Sequence, residues 1–154
     1  MDDELALGRQ VCFALYAASR AVTGLYRSLL DDLGLTYPQY LVLLVLWEQG
    51  PLPVRDLGAA LRLDSGTLSP LLKRLQAAGL VTRDRRSDDE RSVLVSPTAT
   101  SVALRERART IPGTLADASA LSAGELATLR DTLTSLTAAV DAAHHTITSE
   151  GARR

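Results

Sequence analysis

At 154 residues the chain is long enough for one domain with a substantial core, since bodies of this size bury about 70% of the surface their unfolded chains expose. Apolar residues make up 46% but aromatic residues only 4%, so the core is built from Leu, Ala and Val, and a mainly helical protein is expected. A net charge of −1, from 17 basic and 18 acidic residues, gives no global pull toward nucleic acid or a membrane surface. No apolar run approaches the roughly 20 residues that span a bilayer, and Met1-Asp2-Asp3-Glu4 is acidic where a secretory signal is basic, so the expected location is cytoplasmic.

From about Glu4 to Leu33, apolar residues at Val11, Leu15, Val22, Leu25, Leu29 and Leu33 fall at three- and four-residue steps, which predicts one long helix ended by Gly34. Thr36 before Tyr37-Pro38 offers an N-cap, and the apolar stretch Tyr40 to Trp47 makes a buried second helix up to Gly50-Pro51. Pro53 opens a third helix over Val54 to Leu61, and Arg62-Leu63-Asp64 turns the chain into a fourth that ends at Gly79, which together form a helix-turn-helix outline. Pro70 leaves two readings: Ser69 caps a helix starting at Pro70, or the helix starts at Asp64–Ser65 and tolerates a bend. Leu80 to Arg83 and Ser92 to Val95 are short β-rich runs flanking the charged segment Asp84 to Arg91, so they predict a hairpin with a polar tip. After Pro97 a helix runs from about Thr98 to Ile111, stopped by Pro112-Gly113. Ser122 and Glu125 have the spacing of a capping box, and Leu126, Leu129, Leu133, Leu136, Val140, Ala143 and Ile147 continue it as a narrow seam. Such a seam packs on a second chain or on the helix's own domain.

Charge is uneven along the chain. Between Arg62 and Arg91 seven basic residues face five acidic ones, whereas between Gly113 and Glu150 Arg130 stands alone against five acids. A helix that enters the major groove needs short polar side chains near its start and basic ones further along for phosphates. Asp64, Ser65, Thr67 and Ser69, followed by Lys73 and Arg74, have that character, although a capped surface helix would look the same. The hairpin adds Arg83, Arg85, Arg86 and Arg91, placed where an arginine-tipped loop can enter a minor groove, with Asp88, Asp89 and Glu90 available to brace an arginine. Helix-turn-helix followed by a basic wing is more specific than either half.

The run Asp64 to Leu75, the wing Asp88 to Leu94, and Leu35-Thr36-Tyr37-Pro38-Gln39-Tyr40 resemble the MarR family, most closely its organic-hydroperoxide-resistance regulator (OhrR) branch. The resemblance extends through Cys12-Phe13-Ala14-Leu15-Tyr16 and Ile111-Pro112-Gly113-Thr114, and the last helix matches mainly in pattern. It implies a winged helix-turn-helix protein that dimerises through its N- and C-terminal helices. Residues 1–34 and 98–150 would serve the dimer, and residues 35–97 would form the DNA-binding lobe. Asp64, Ser65, Thr67, Ser69, Lys73 and Arg74 match the recognition segment, and Asp89 with Arg91 matches a wing-tip pair. Val95-Ser96-Pro97-Thr98-Ala99-Thr100 departs from the family's usual Leu-Thr then Gly pattern, which leaves the start of the fifth helix open.

The single cysteine, Cys12, cannot form an internal disulfide, so it is a buried small hydrophobe, a reactive thiol or an intermolecular partner. Tyr16 lies one turn later and Tyr26 further along, and the pattern alone favours a core cysteine beside ordinary aromatics. No Lys or His adjoins it, so tyrosine hydroxyls and helix N-termini are left to favour a thiolate. The resemblance implies instead a peroxide-reactive Cys12 whose partners are Tyr16, Tyr26 and Tyr37, some reaching across the dimer. It implies a repressor, not an enzyme, released from double-stranded operator DNA when an organic hydroperoxide oxidises Cys12. A low-molecular-weight thiol would then resolve the sulfenic acid. Three alternatives stay open: a MarR-type repressor released by a small aromatic ligand with Cys12 structural, a thiol peroxidase, and a purely structural dimerising protein. His144 and His145 read as solvated, and no cofactor or metal site is expected.

Overall fold

In the computed structural model, which describes residues 4–85 and 92–151 (the last three by backbone alone), the chain is mainly helical with one small sheet. It divides into two units, one through Ile111 and one from Pro112 onward. Among the described residues no helix is long and apolar enough to cross a membrane.

The first unit opens with a short 3-10 turn, Leu7–Arg9, before helix α1, Val11–Asp31. The sequence predicts continuous helix from Glu4, but Gln10 is extended (φ −83°, ψ 112°), and Gly8 is a poor helix former just ahead of it. Gly34, at φ 65°, makes the left-handed turn that releases the chain from α1. Helix α2, Tyr37–Gln49, begins at a complete capping box: Thr36 Oγ1 accepts from the Gln39 backbone N–H, and Gln39 Oε1 accepts from the Thr36 N–H at 2.9 Å. It carries Tyr40, Val42, Leu43 and Leu46 into the core, where each is at most 2% exposed.

Strand β1, Leu52–Pro53, and helix α3, Val54–Leu61, follow, and Arg62 turns the chain in a left-handed conformation (φ 57°) toward helix α4, Ser65–Ala77. Of the two readings of Pro70, the structure takes the second: the helix starts at Ser65, with Asp64 as its cap, and Pro70 lies inside it. Pro70 removes one rung of the helical ladder, toward the Gly66 carbonyl, where both residues are exposed to water. Leu68, Leu71, Leu72 and Leu75, at helical spacing, form the buried face of α4. The turn between α3 and α4 folds closely over Gly58, where a Cβ would stand 2.9 Å from the Leu63 carbonyl oxygen.

Strands β2, Val81–Arg85, and β3, Val93–Pro97, pair antiparallel, each reaching two residues further than the sequence pattern suggests. The expected hairpin is part of a three-stranded sheet in the order β1-β3-β2, with Leu52 opposite Val95 and Pro53 opposite Leu94. A two-residue strand containing a proline has almost no pattern to read, and it sits at the sheet edge, where a missing donor is tolerated. Thr98 begins helix α5, Ala99–Ala108, by accepting from the Ser101 N–H, which settles where that helix starts.

Helix α6, Ile111–Ser119, corrects the expectation that Pro112-Gly113 stops a helix: the two residues lie in its first turn, where proline's missing donor costs nothing. In the second unit Ser122 and Glu125 form the expected capping box, with Ser122 N–H donating to Glu125 Oε2 at 2.8 Å and Glu125 N–H donating to Ser122 Oγ at 3.3 Å. Helix α7, Ala123–Gly151, is 29 residues long, about 44 Å at 1.5 Å per residue. None of its described side chains is buried by its own chain.

Candidate nucleic-acid interface and thiol site

With one face of α4 occupied by leucines, its other face presents Ser65, Thr67, Lys73 and Arg74 to solvent, and Ser69 is half-buried. Asp64 is committed to the helix itself. Its Oδ1 accepts from the Thr67 backbone N–H at 2.8 Å and its Oδ2 from the Thr67 hydroxyl at 3.1 Å. Those bonds, the Thr67 backbone first, hold its carboxyl below the usual aspartate range. Two of the residues assigned to DNA contact, Asp64 and Thr67, therefore build the start of the helix.

Arg83 and Arg85 share one face of β2, opposite Val95 and Val93. The Arg83 Nε donates to Gln76 Oε1 at 2.8 Å, so an α4 side chain that sequence reasoning passed over fixes this arginine of β2 against α4. A cleft of about 850 Å³ runs between α3, α4 and the sheet, lined by Arg55, Ser65, Ser69, Leu72, Arg83 and Val93 among others. Arg55, at the start of α3, adds a basic side chain that was also missed; its Nε pairs with the adjacent Asp56 at 3.2 Å, largely in solvent. The other residues expected in the wing, Arg86, Asp89 and Arg91, lie outside the described residues.

Cys12 is exposed in the first turn of α1, not packed in a core. The first turn of a helix favours negative charge, because unpaired N–H groups and the helix dipole converge there. Around it Val11, Phe13, Leu15 and Tyr16 are all exposed, an apolar surface that the chain does not cover. The Tyr16 hydroxyl accepts from Arg20 Nη1 at 3.1 Å, and the guanidinium lies 5.6 Å from the Tyr16 ring centre.

Tyr26 and Tyr37 form a separate cluster, with ring centres 4.6 Å apart, and Tyr40 joins them at 5.8 Å from Tyr26. Sequence reasoning treats Tyr40 only as core; its apolar run hid its place beside the other two phenols. Burial pushes the Tyr26 and Tyr40 hydroxyls above the ordinary tyrosine range, with the neighbouring phenols adding to the effect, so both stay neutral donors. Cys12 and Tyr26 are 14 residues apart on one helix, about 21 Å along its axis. The structure thus brings Tyr26 to Tyr37 and Cys12 to the turn beside Tyr16, and it keeps the two pairs apart within one chain. Among the described residues no group of three or more His, Cys, Asp or Glu side chains is placed to hold a metal ion.

Residues 35–93 match the MarR family. The chain is 50% identical over 134 residues to the organic hydroperoxide resistance transcriptional regulator of Bacillus subtilis, covering 87% of this chain and 91% of that protein. Its fold is similar to that of reduced AbfR bound to DNA, with a TM-score of 0.71 at 33% identity over 89% of this chain and 95% of that one. It is similar also to overoxidised AbfR bound to DNA, with a TM-score of 0.69 at 32% identity over 89% and 96% of the two chains. AbfR is a protein of Staphylococcus epidermidis.

Proposed function

The chain belongs to the MarR family, and from that premise we propose that it is a dimeric transcriptional repressor whose grip on operator DNA is released when an organic hydroperoxide oxidises Cys12. The observation that carries this reading is the placement of Cys12: one exposed thiol, at a helix start, on an apolar surface the chain leaves uncovered. Half of the aligned residues are shared with a regulator named for organic hydroperoxide resistance.

DNA binding rests on α4 and the wing. Ser65, Ser69, Lys73 and Arg74 face a major groove, with Asp64 and Thr67 shaping the helix end, while Arg83, Arg85, Arg86 and the Asp89–Arg91 pair address the flanking minor groove. Positively charged side chains on phosphates supply most of the affinity, and the short polar groups supply register.

The sensing site is completed by a second copy. Tyr26 and Tyr37 are too far along the molecule to reach their own chain's thiol, so the phenols that orient it come from the partner subunit. The Cys12 thiolate attacks one peroxide oxygen and the O–O bond breaks. Sulfur is oxidised by two electrons to the sulfenic acid, and the departing alkoxide takes up a proton to leave as an alcohol. With no second cysteine, the sulfenic acid condenses with a small cellular thiol, losing water and forming a mixed disulfide. Added bulk at a packed interface then shifts the population away from the DNA-binding arrangement. That overoxidised AbfR has been seen on DNA favours bulk over oxidation state as the releasing event.

Intact-mass measurement after cumene hydroperoxide, with and without added cysteine, tests the chemistry. The expected products are one added oxygen without thiol and one cysteinyl adduct with it, both confined to Cys12. Peroxide consumption that leaves Cys12 unmodified while DNA is released would overturn the scheme.

A further inference from the structure

Resting on the reading of Cys12 as the sensor, we propose that Trp47 and Ser101 are positioning residues that couple the tyrosine cluster to the root of the wing. The contacts form an unbroken series within the first unit. Tyr37 stands 4.6 Å from Tyr26, Tyr26 stands 5.8 Å from Tyr40, and Tyr40 meets Trp47 edge-on at 6.3 Å between ring centres. The Trp47 indole Nε1 then donates to the Ser101 hydroxyl at 2.9 Å, joining α2 to the first turn of α5 across 54 residues of sequence.

Ser101 is fully buried, so its hydroxyl has a fixed place. Its backbone N–H donates to Thr98 Oγ1 at 3.2 Å, and the Thr98 hydroxyl donates to the Gly79 carbonyl at 2.7 Å. The Thr98 N–H donates to the Leu80 carbonyl at 3.1 Å. The segment that receives the indole bond is thus also the one that ties the end of β3 to the end of the recognition helix. At its far end α5 is held again, where Arg107 Nη2 donates to the Asp32 carbonyl at the end of α1 at 2.9 Å. Helix α5 is therefore fastened at both ends to the two helices that carry the sensor residues. A displacement of Tyr26 or Tyr37 reaches Tyr40 and Trp47 by packing, and then Ser101 and Thr98 by directed hydrogen bonds, because close-packed rings have little room to absorb it.

A contact that merely satisfies a half-buried indole N–H would affect stability alone. The two roles are separated by comparing full-length wild type, Ser101→Ala, Trp47→Phe and the double variant on a duplex selected from a random-sequence pool by the wild-type protein. Binding is measured before and after cumene hydroperoxide and cysteine, with modification of Cys12 verified by intact mass. Reduced-state affinity is expected to stay within about twofold, while the oxidation-induced loss of affinity shrinks by about three- to tenfold in each single variant. The double variant is expected to lose no more than the worse single variant, as residues acting in series do. Trp47 is the only tryptophan, so its emission should shift on oxidation in wild type and shift less in Ser101→Ala. Variants that are less stable but released to the wild-type extent would overturn the proposal alone. A wild type that stays bound after Cys12 has been modified would overturn the sensor reading and this proposal with it.

Discussion

Among single side chains, the hydrogen bonds already made inside the chain decide which groups are free to meet DNA. Asp64 is spent on the Thr67 amide and hydroxyl, which explains its lowered pKa and sets a sign for its effect on stability. A carboxyl held below its unfolded value stabilises the fold above that value, near 3.8, and the contribution is lost as the pH falls through it toward the folded value. Asp64→Asn keeps a capping oxygen that does not titrate. Urea midpoints of this variant are expected to vary less than those of wild type between about pH 5 and 2; parallel curves would remove the carboxylate from the account. Lys73 is exposed on α4, and on the proposed reading it acts on phosphate by charge. Lys73→Ala should weaken binding to all duplexes alike and reduce the log–log salt slope by about 0.9. A loss confined to one sequence would make it a base reader instead.

Secondary-structure elements show where the sequence could be read and where it could not. The Thr36 cap and the Ser122–Glu125 box were legible because each is set by residues close in sequence, whereas the Gln39 half of the Thr36 box came from the structure. The apolar period of α1 was legible for the same kind of reason, a spacing set by the helix itself. Pro112-Gly113 misled because proline ends one helix and begins another with equal ease, and only packing after Ile111 decides which. Strand β1 exists through its pairing with β3, more than 40 residues away, and the Trp47–Ser101 bond is likewise invisible to any local pattern. At the site, Cys12 and the tyrosines were found by resemblance. Their separation into two groups along α1 required the helix, and Tyr40 and Gln76 emerged only from contacts. Gly58 gives this level its own prediction. Gly58→Ala forces a methyl group against the Leu63 carbonyl, a backbone atom that cannot swing aside. Chemical denaturation should show a loss of about 1–3 kcal/mol, and an unchanged midpoint would mean that the turn between α3 and α4 yields more readily than its close approach to Gly58 implies.

For the molecule as a whole, the uncovered apolar residues of α1 and α7 are the strongest argument for a second copy. Phe13, Leu15 and Tyr16 on one helix and Leu129, Leu136, Val140 and Ile147 on the other are all exposed in the single chain, and apolar surface on that scale marks an interface. Leu136→Glu would place an unpaired charge in the α7 seam. Sedimentation should show its dimer constant weakened by at least about 30-fold, equivalent to roughly 2 kcal/mol, and a dimer of wild-type strength would exclude the seam as the interface. On the proposed reading, dimerisation also gives the sensor its geometry by bringing Tyr26 and Tyr37 of the second copy to the thiol, because Tyr26 of the same chain lies about 21 Å from Cys12 along α1. The most direct test of the account is operator binding by wild type and Cys12→Ser, titrated with and without cumene hydroperoxide in the presence of cysteine. On the proposed mechanism both reduced proteins bind equally and wild type alone is released. Release of Cys12→Ser by peroxide to the wild-type extent would contradict it.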